Sequence, residues 1–200
     1  MSKRFVILAA ALIPLALLVM ALVAPDTTDY RVVGKGDGYE LRQYAPSVVA
    51  ETKASGAFDQ ADDDAFGTLV DYIQGANEGG RNLPMTAPVI QQRLEGGAQR
   101  SDAGWVFQFM ISPEYLLSML PRPANADVTL RQLPQRTVAA RRYRGDWSED
   151  HYRGEAQALL AALREAGVET IGSPAFARYN AVFVPGFLRR NEVIVEVGRP

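Results

Sequence analysis

Cysteine is absent from the 200 residues, and histidine occurs once, as His151. Without cysteine there is no disulfide framework, Cys-ligated zinc, iron–sulfur cluster, Cys nucleophile or covalent c-type haem attachment. A single histidine excludes a multi-histidine metal site, and any Ser–His–Asp arrangement would depend on His151 alone. Charge of one sign is scarce too: 21 basic and 23 acidic side chains leave a net charge of −2. Such a chain has no strong basic field, which excludes nucleic acid as the expected partner. What remains, 48% hydrophobic and 22% charged residues, is ordinary globular composition. It argues against long disorder, a collagen-like fibre or a coiled coil.

The most conspicuous feature present is a run of 20 uncharged, apolar residues, Phe5 to Ala24. As a helix rising about 1.5 Å per residue it would span about 30 Å, the thickness of a hydrocarbon core. Lys3 and Arg4 stand just before it, as in the positive n-region of an export signal. Residues 1–24 are therefore expected to be a signal peptide, cut after Ala21, or a retained membrane anchor. The run is long for a cleaved signal, which favours the anchor. Both outcomes place residues 25–200 outside the cytoplasm, in the cell envelope. The domain is membrane-anchored through residues 5–24, or periplasmic or secreted if the signal is cut. Lack of cysteine suits an exported domain that has no need of oxidative folding.

Residues 25–38 read as a linker. The domain then spans 39–200, and it reads as two copies of one unit, about 39–111 and 128–198. At an offset of 89 residues, Leu41-Arg42-Gln43 matches Leu130-Arg131-Gln132, Val49-Ala50 matches Val138-Ala139, and Gly56 matches Gly145. That is six identities in 16 ungapped positions, where about one is expected by chance. Each copy opens with a strand signal, 39–55 and 128–144, broken by Pro46 and Pro134 respectively. A helical stripe follows in each. Phe66, Leu69, Val70 and Ile73 share one face of a helix over about 61–75. Tyr152, Ala156, Leu159, Leu160 and Leu163 do the same over about 149–166, with Ser148 as N-cap and Gly167 as stop. Two further strand signals close each copy, at 87–94 and 105–111, then at 176–184 and 192–197. The order strand, helix, strand, strand, twice over, predicts an α+β fold. Its sheet is antiparallel, of about eight strands, with two helices related by an approximate two-fold.

Candidate site residues are few. His151 falls off the apolar stripe of its helix, so it points to solvent or serves as an axial haem ligand. The segment 112–123 is fenced by prolines and carries Leu116, Met119 and Leu120. It reads as a short helix over the sheet edge, or as a lid on an apolar pocket. Arg141, with Arg142 and Arg144, and Arg189, with Arg190, form clusters suited to carboxylates. Met85, between Pro84 and Pro88, reads as a turn into a strand or as a ligand contact. Glu51, Asp59, Glu155 and Glu192 show no spacing that marks an acid–base pair. The glycines of residues 34–38 precede a strand, whereas a phosphate loop opens a helix.

Several phrases together resemble one family. They are Tyr39-Glu40-Leu41-Arg42-Gln43-Tyr44 followed by Val48-Val49-Ala50-Glu51-Thr52, then Met85-Thr86-Ala87-Pro88-Val89, and finally Arg190-Asn191-Glu192-Val193. With Phe66, Tyr72-Ile73 and Asn77 between them, they look like the SOUL haem-binding proteins, over about residues 30–198. The resemblance implies a distorted antiparallel barrel with two helices and a pseudo-two-fold repeat. It also implies similarity to the gyrase-inhibitor-like effector domains, which bind bulky apolar molecules. Its implied function is non-covalent binding of haem or a related tetrapyrrole, without catalysis. The candidate contacts are Met85, Leu116, Met119, Leu120, Arg141, Arg189 and His151, the last as metal ligand. Two alternatives stay open: another bulky apolar small molecule, or a protein-docking module of the envelope.

Overall fold

The computed structural model of the chain describes residues 28–94 and 104–198. The first half runs β1 (Tyr30–Gly36), β2 (Tyr39–Tyr44), β3 (Ser47–Ser55), α1 (Phe58–Ile73), β4 (Val89–Arg93) and β5 (Gly104–Met110). The second runs β6 (Thr129–Leu133), β7 (Arg136–Tyr143), α2 (Glu149–Glu165), β8 (Thr170–Arg178) and β9 (Asn191–Val197). All nine strands join one antiparallel sheet in the order β1-β2-β7-β9-β8-β4-β5-β3-β6. β1 and β6 are free edges, so the sheet is not a closed barrel, and it has one strand more than the sequence pattern predicts.

The additional strand is β1, which falls within the expected linker 25–38. It pairs only with β2, from Tyr30 opposite Tyr44 to Gly36 opposite Tyr39. Setting β1 aside, the sheet order is palindromic. Exchanging the halves carries β2 to β6, β3 to β7, β4 to β8 and β5 to β9, and reverses the same order. The repeat read at offset 89 is thus present in the topology, with its axis between β4 and β8. Each helix follows a glycine with positive φ, Gly56 at 108° and Gly145 at 138°. Side chains rarely adopt that conformation.

Both helices lie on one face of the sheet. α1 begins three residues earlier than its stripe predicts, at Phe58 rather than Ala61. It buries Phe58, Ala61, Ala65, Leu69 and Tyr72, which repeat at helical spacing. Phe66, expected at the centre of the stripe, lies at its margin and is 39% exposed. α2 is capped by Ser148, whose hydroxyl accepts from the His151 N–H at 3.3 Å, and Glu149 and Asp150 sit in its first turn. Phe107, Phe176, Leu69, Leu159 and Leu163 lie at the heart of this core. A smaller cluster on the other face joins Val49, Ile90, Met110, Leu133 and Tyr179.

The segment 112–123 lies beside the edge strand β6, and its helical part is short. It forms only a 3-10 turn, Leu117–Met119. It is tied to the end of α1, where the Tyr72 hydroxyl donates to the Pro121 carbonyl at 3.1 Å and Arg81 donates to the Met119 carbonyl at 3.0 Å. Among the described residues no helix is long and apolar enough to cross a membrane. Residues 5–24, and with them the signal-or-anchor reading, lie outside the described residues.

Candidate functional site

The largest unexplained apolar display is the connection between β8 and β9, residues 179–190. Val182 is 71% exposed, Phe183 61%, Phe187 72% and Leu188 54%. A single exposed apolar side chain is ordinary, but four in one loop mark an interaction surface. The loop is built to hold them out. Its ends close through the Tyr179 N–H to the Arg190 carbonyl at 3.3 Å and the Arg190 N–H to Asn180 Oδ1 at 2.6 Å. The Arg189 guanidinium donates to the carbonyls of Val182 and Val184, each at 2.6 Å, and lies 4.1 Å above the Trp147 ring. Arg144 donates to the Phe187 carbonyl at 3.3 Å. With the backbone occupied by arginines, the apolar side chains face outward.

α1 flanks the base of this loop. Arg178, the last residue of β8, makes a forked ion pair with Asp62 on α1 and packs over Trp147 at 5.2 Å. Phe66 lies one turn along the same face of α1, edge-on to Phe109 at 5.4 Å. Beneath the helix, Phe109 and Arg178 both pair with Val89, on either side of it. The site therefore presents an apolar loop and an aromatic helix margin, with Arg144, Arg178 and Arg189 at its base. A flat, apolar, anionic molecule suits that combination. Among the described residues no group of three or more His, Asp and Glu could hold a metal ion.

The structure distributes the residues singled out from sequence over several places. His151 and Arg141 come together through Glu155. Arg141 Nε lies 2.7 Å from Glu155 Oε2, and His151 Nε2 lies 4.0 Å from Glu155 Oε1. His151 Nδ1 is 3.0 Å from Asp146 Oδ1, and the ring leans on Tyr143 at 5.0 Å. Both ring nitrogens thus face carboxylates. Arg189 belongs to the loop. Leu116 and Met119 are exposed at the far end of α1, Leu120 is buried there, and Met85 packs half-buried against the helix-face core. The residues that pattern reading missed are Val182, Phe183, Phe187 and Leu188. The apolar run from Ala181 to Val184 reads as the end of a strand, but β8 stops at Arg178. Pro185-Gly186, directly after that run, was the available signal of a loop.

The Asp146–His151 contact carries an expected result. The His151 hydrogen bond, aided by Ser148, holds the Asp146 carboxyl below its ordinary value. A depressed carboxyl stabilises the fold above its unfolded-state pKa, and that contribution disappears as pH falls through the lower folded value. In His151→Ala, Asp146 should titrate closer to an ordinary carboxylate, as read by carboxyl-carbon NMR. An unchanged titration would mean that Ser148 alone holds it.

Comparison with known proteins identifies relatives of the whole domain. The family model for the SOUL heme-binding protein matches residues 25–196, which takes in all of β1 to β8 and most of β9. The chain belongs to the SOUL family. Heme-binding protein 2 of Homo sapiens is 31% identical over 130 residues, and that of Mus musculus 30% over the same length. Each match covers 64% of this chain and 63% of the relative, so the chain spans less than two thirds of the relatives' length. By structure, the C-terminal domain of EcmrR superposes with a TM-score of 0.62 at 11% identity, covering 86% of this chain and 99% of that one. A hydrolase from Listeria innocua gives 0.51 at 9% identity, covering 88% and 94%. At such identities the likeness shows the fold alone. SOUL membership supports non-covalent haem as the cofactor. His151 stands beside Gly145, whose N–H donates to the Gly186 carbonyl of the loop at 3.1 Å, and its ring nitrogens face Asp146 and Glu155.

Proposed function

We propose that this chain binds haem or a related tetrapyrrole without catalysis, at the loop between β8 and β9. The observation that carries the reading is the set of four outward apolar side chains, Val182, Phe183, Phe187 and Leu188. Covering them contributes about 2.5 kcal/mol for each 100 Å² of apolar surface removed from water. Phe66 extends the apolar contact along α1. Arg144 and Arg189 stand where propionates can pair with them. Haem, if bound here, would supply its iron, while the loop side chains would hold the ring and Arg144 and Arg189 its carboxylates. The work is sequestration or hand-over of the ligand. The apolar run 5–24, preceded by Lys3 and Arg4, supports an exported domain tethered at a membrane in the cell envelope.

Haemin titration of the full chain, followed by the Soret band, tests the reading. A saturable one-to-one shift is expected, at least about tenfold weaker in Phe183→Asp and in Phe187→Asp. His151→Ala should leave it unchanged. No saturable shift would overturn haem as the ligand, and unaltered binding in both loop variants would overturn the location. A second reading, protein docking, is favoured by the exposure of Leu116 and Met119. Leu116→Asp should then leave haemin binding intact while releasing a partner.

A further inference from the structure

The repeat places an arginine at equivalent positions of both halves, Arg42 on β2 and Arg131 on β6, and their surroundings differ. Arg131 pairs with Glu51 at 2.9 Å at the sheet's free edge, with its side chain 53% exposed. The Arg42 side chain is 4% exposed and pairs with the fully buried Glu192 at 2.7 Å. The difference is β1, which has no counterpart beside β6. Its Tyr30 ring covers the Arg42 guanidinium at 4.5 Å.

The same strand forms one wall of a cleft of about 520 Å³ on the face of the sheet away from the helices. Ala140, buried on β7, lies between Glu40 on β2 and Ile194 on β9, so the floor is small and apolar. Around it stand four cations, Lys35, Arg42, Arg142 and Arg190, against two carboxylates, Glu40 and Glu192. The lining thus carries two positive charges in excess, whereas the whole chain has a net charge of −2. Both carboxylates are already engaged. Glu192 accepts from Arg42 and from Arg190, the latter at 3.0 Å, and Glu40 accepts from Arg42 at 3.0 Å. Arg142, directly opposite Glu192 in the ladder, is exposed, and its side chain makes no hydrogen bond or ion pair among the described residues. Lys35 has only a long contact of 3.8 Å to Glu40. Two cations therefore face the cleft with donors to spare, beside an aromatic wall.

We propose that this cleft is a binding site for a small organic oxyanion, a carboxylate or a phosphate, gripped by Arg142 and Lys35 and lying against Tyr30. The guanidinium fork of Arg142 suits either group. The cleft shares Arg190 with the base of the apolar loop, but its spare cations and its aromatic wall stand on β1 and β7, apart from the exposed loop side chains. β1 makes it by burying the Arg42–Glu192 pair, which supplies a fixed, neutralised base on which the spare cations stand.

Calorimetric titration of the full chain with phenyl phosphate and with benzoate tests this. Saturable one-to-one binding of at least one probe is expected, and which one binds identifies the anion. Binding should weaken about tenfold in Arg142→Gln and again in Lys35→Gln, since each removes one charge-assisted contact. Both residues are exposed, so thermal midpoints should stay at the wild-type value. Phe183→Asp should bind the probe as wild type does. Failure of both probes to saturate by about 10 mM would overturn the proposal. So would binding that Arg142→Gln and Lys35→Gln leave unchanged, or binding that Phe183→Asp abolishes.

Discussion

Glu192→Gln should lower the stability of the chain by about 3 kcal/mol, because it leaves the buried Arg42 guanidinium with only the part-exposed Glu40 to balance it. Glu192 is fully buried and holds three groups. Arg42 donates to both of its oxygens at 2.7 and 3.3 Å, Arg190 donates at 3.0 Å, and the Tyr179 hydroxyl donates at 3.0 Å. Burial alone would push the Arg42 pKa down, but the Glu192 carboxylate outweighs it and the value rises above the ordinary one. Arg42 therefore cannot escape by losing its proton at any working pH. Glutamine keeps the shape of the side chain and removes the charge, so the cost falls on electrostatics rather than packing. The comparison is Glu149→Gln, which breaks the exposed i,i+4 pair with Arg153. That should cost no more than about 0.5 kcal/mol. Urea unfolding of the two variants side by side decides the matter. Equal losses would show that the Arg42–Glu192 pair is solvated. Replacing Arg42 by Met in the Glu192→Gln background should recover part of the loss, since no guanidinium paired only with Glu40 then remains buried at position 42.

The contrast between Arg42 and Arg131 also shows where sequence reading stops. Both sit in a Leu-Arg-Gln phrase, and that phrase reveals the repeat. The phrase cannot say which arginine is buried, because Tyr30, twelve residues upstream of Arg42, decides it. The β1 segment Tyr-Arg-Val-Val-Gly-Lys-Gly looks like a linker because an edge strand pairs on one side only and needs no sustained apolar alternation. β8 is displaced for a related reason. Gly172, Ser173 and Pro174 hide a strand that accommodates them by a register shift between Ile171 and Ala175. The apolar residues just beyond it then take the strand assignment, although they form the exposed loop of the proposed haem site. Helix positions survive best, within three residues at every end, because their apolar spacing is set by the packing of each helix on its own half of the sheet. The candidate site survives least. Its four main contacts are apolar residues made significant only by exposure, which periodicity does not report.

Phe176→Ala should cost about 3–5 kcal/mol, the range for emptying a large aromatic position in a core. Phe176 is fully buried on β8, beside the axis of the pseudo-two-fold. Its ring centroid lies 6.0 Å from Phe58 at the start of α1, 5.4 Å from Tyr152 in the first turn of α2, and 6.2 Å from Tyr143 on β7. One ring therefore supports the N-terminal ends of both helices and the strand that leads into α2. Aromatic contacts of this kind add to the area term, so the loss should exceed that of an aliphatic site of equal volume. Because both helices lean on the same residue, unfolding should remain a single transition with a lower midpoint, seen alike in far- and near-ultraviolet circular dichroism. Loss of the near-ultraviolet signal before the far-ultraviolet one would mean that core packing gives way while helices and strands persist. Phe176→Leu should recover most of the stability, since it refills much of the volume and forfeits only the ring contacts. If leucine were as costly as alanine, ring contacts rather than volume would be what joins the two halves.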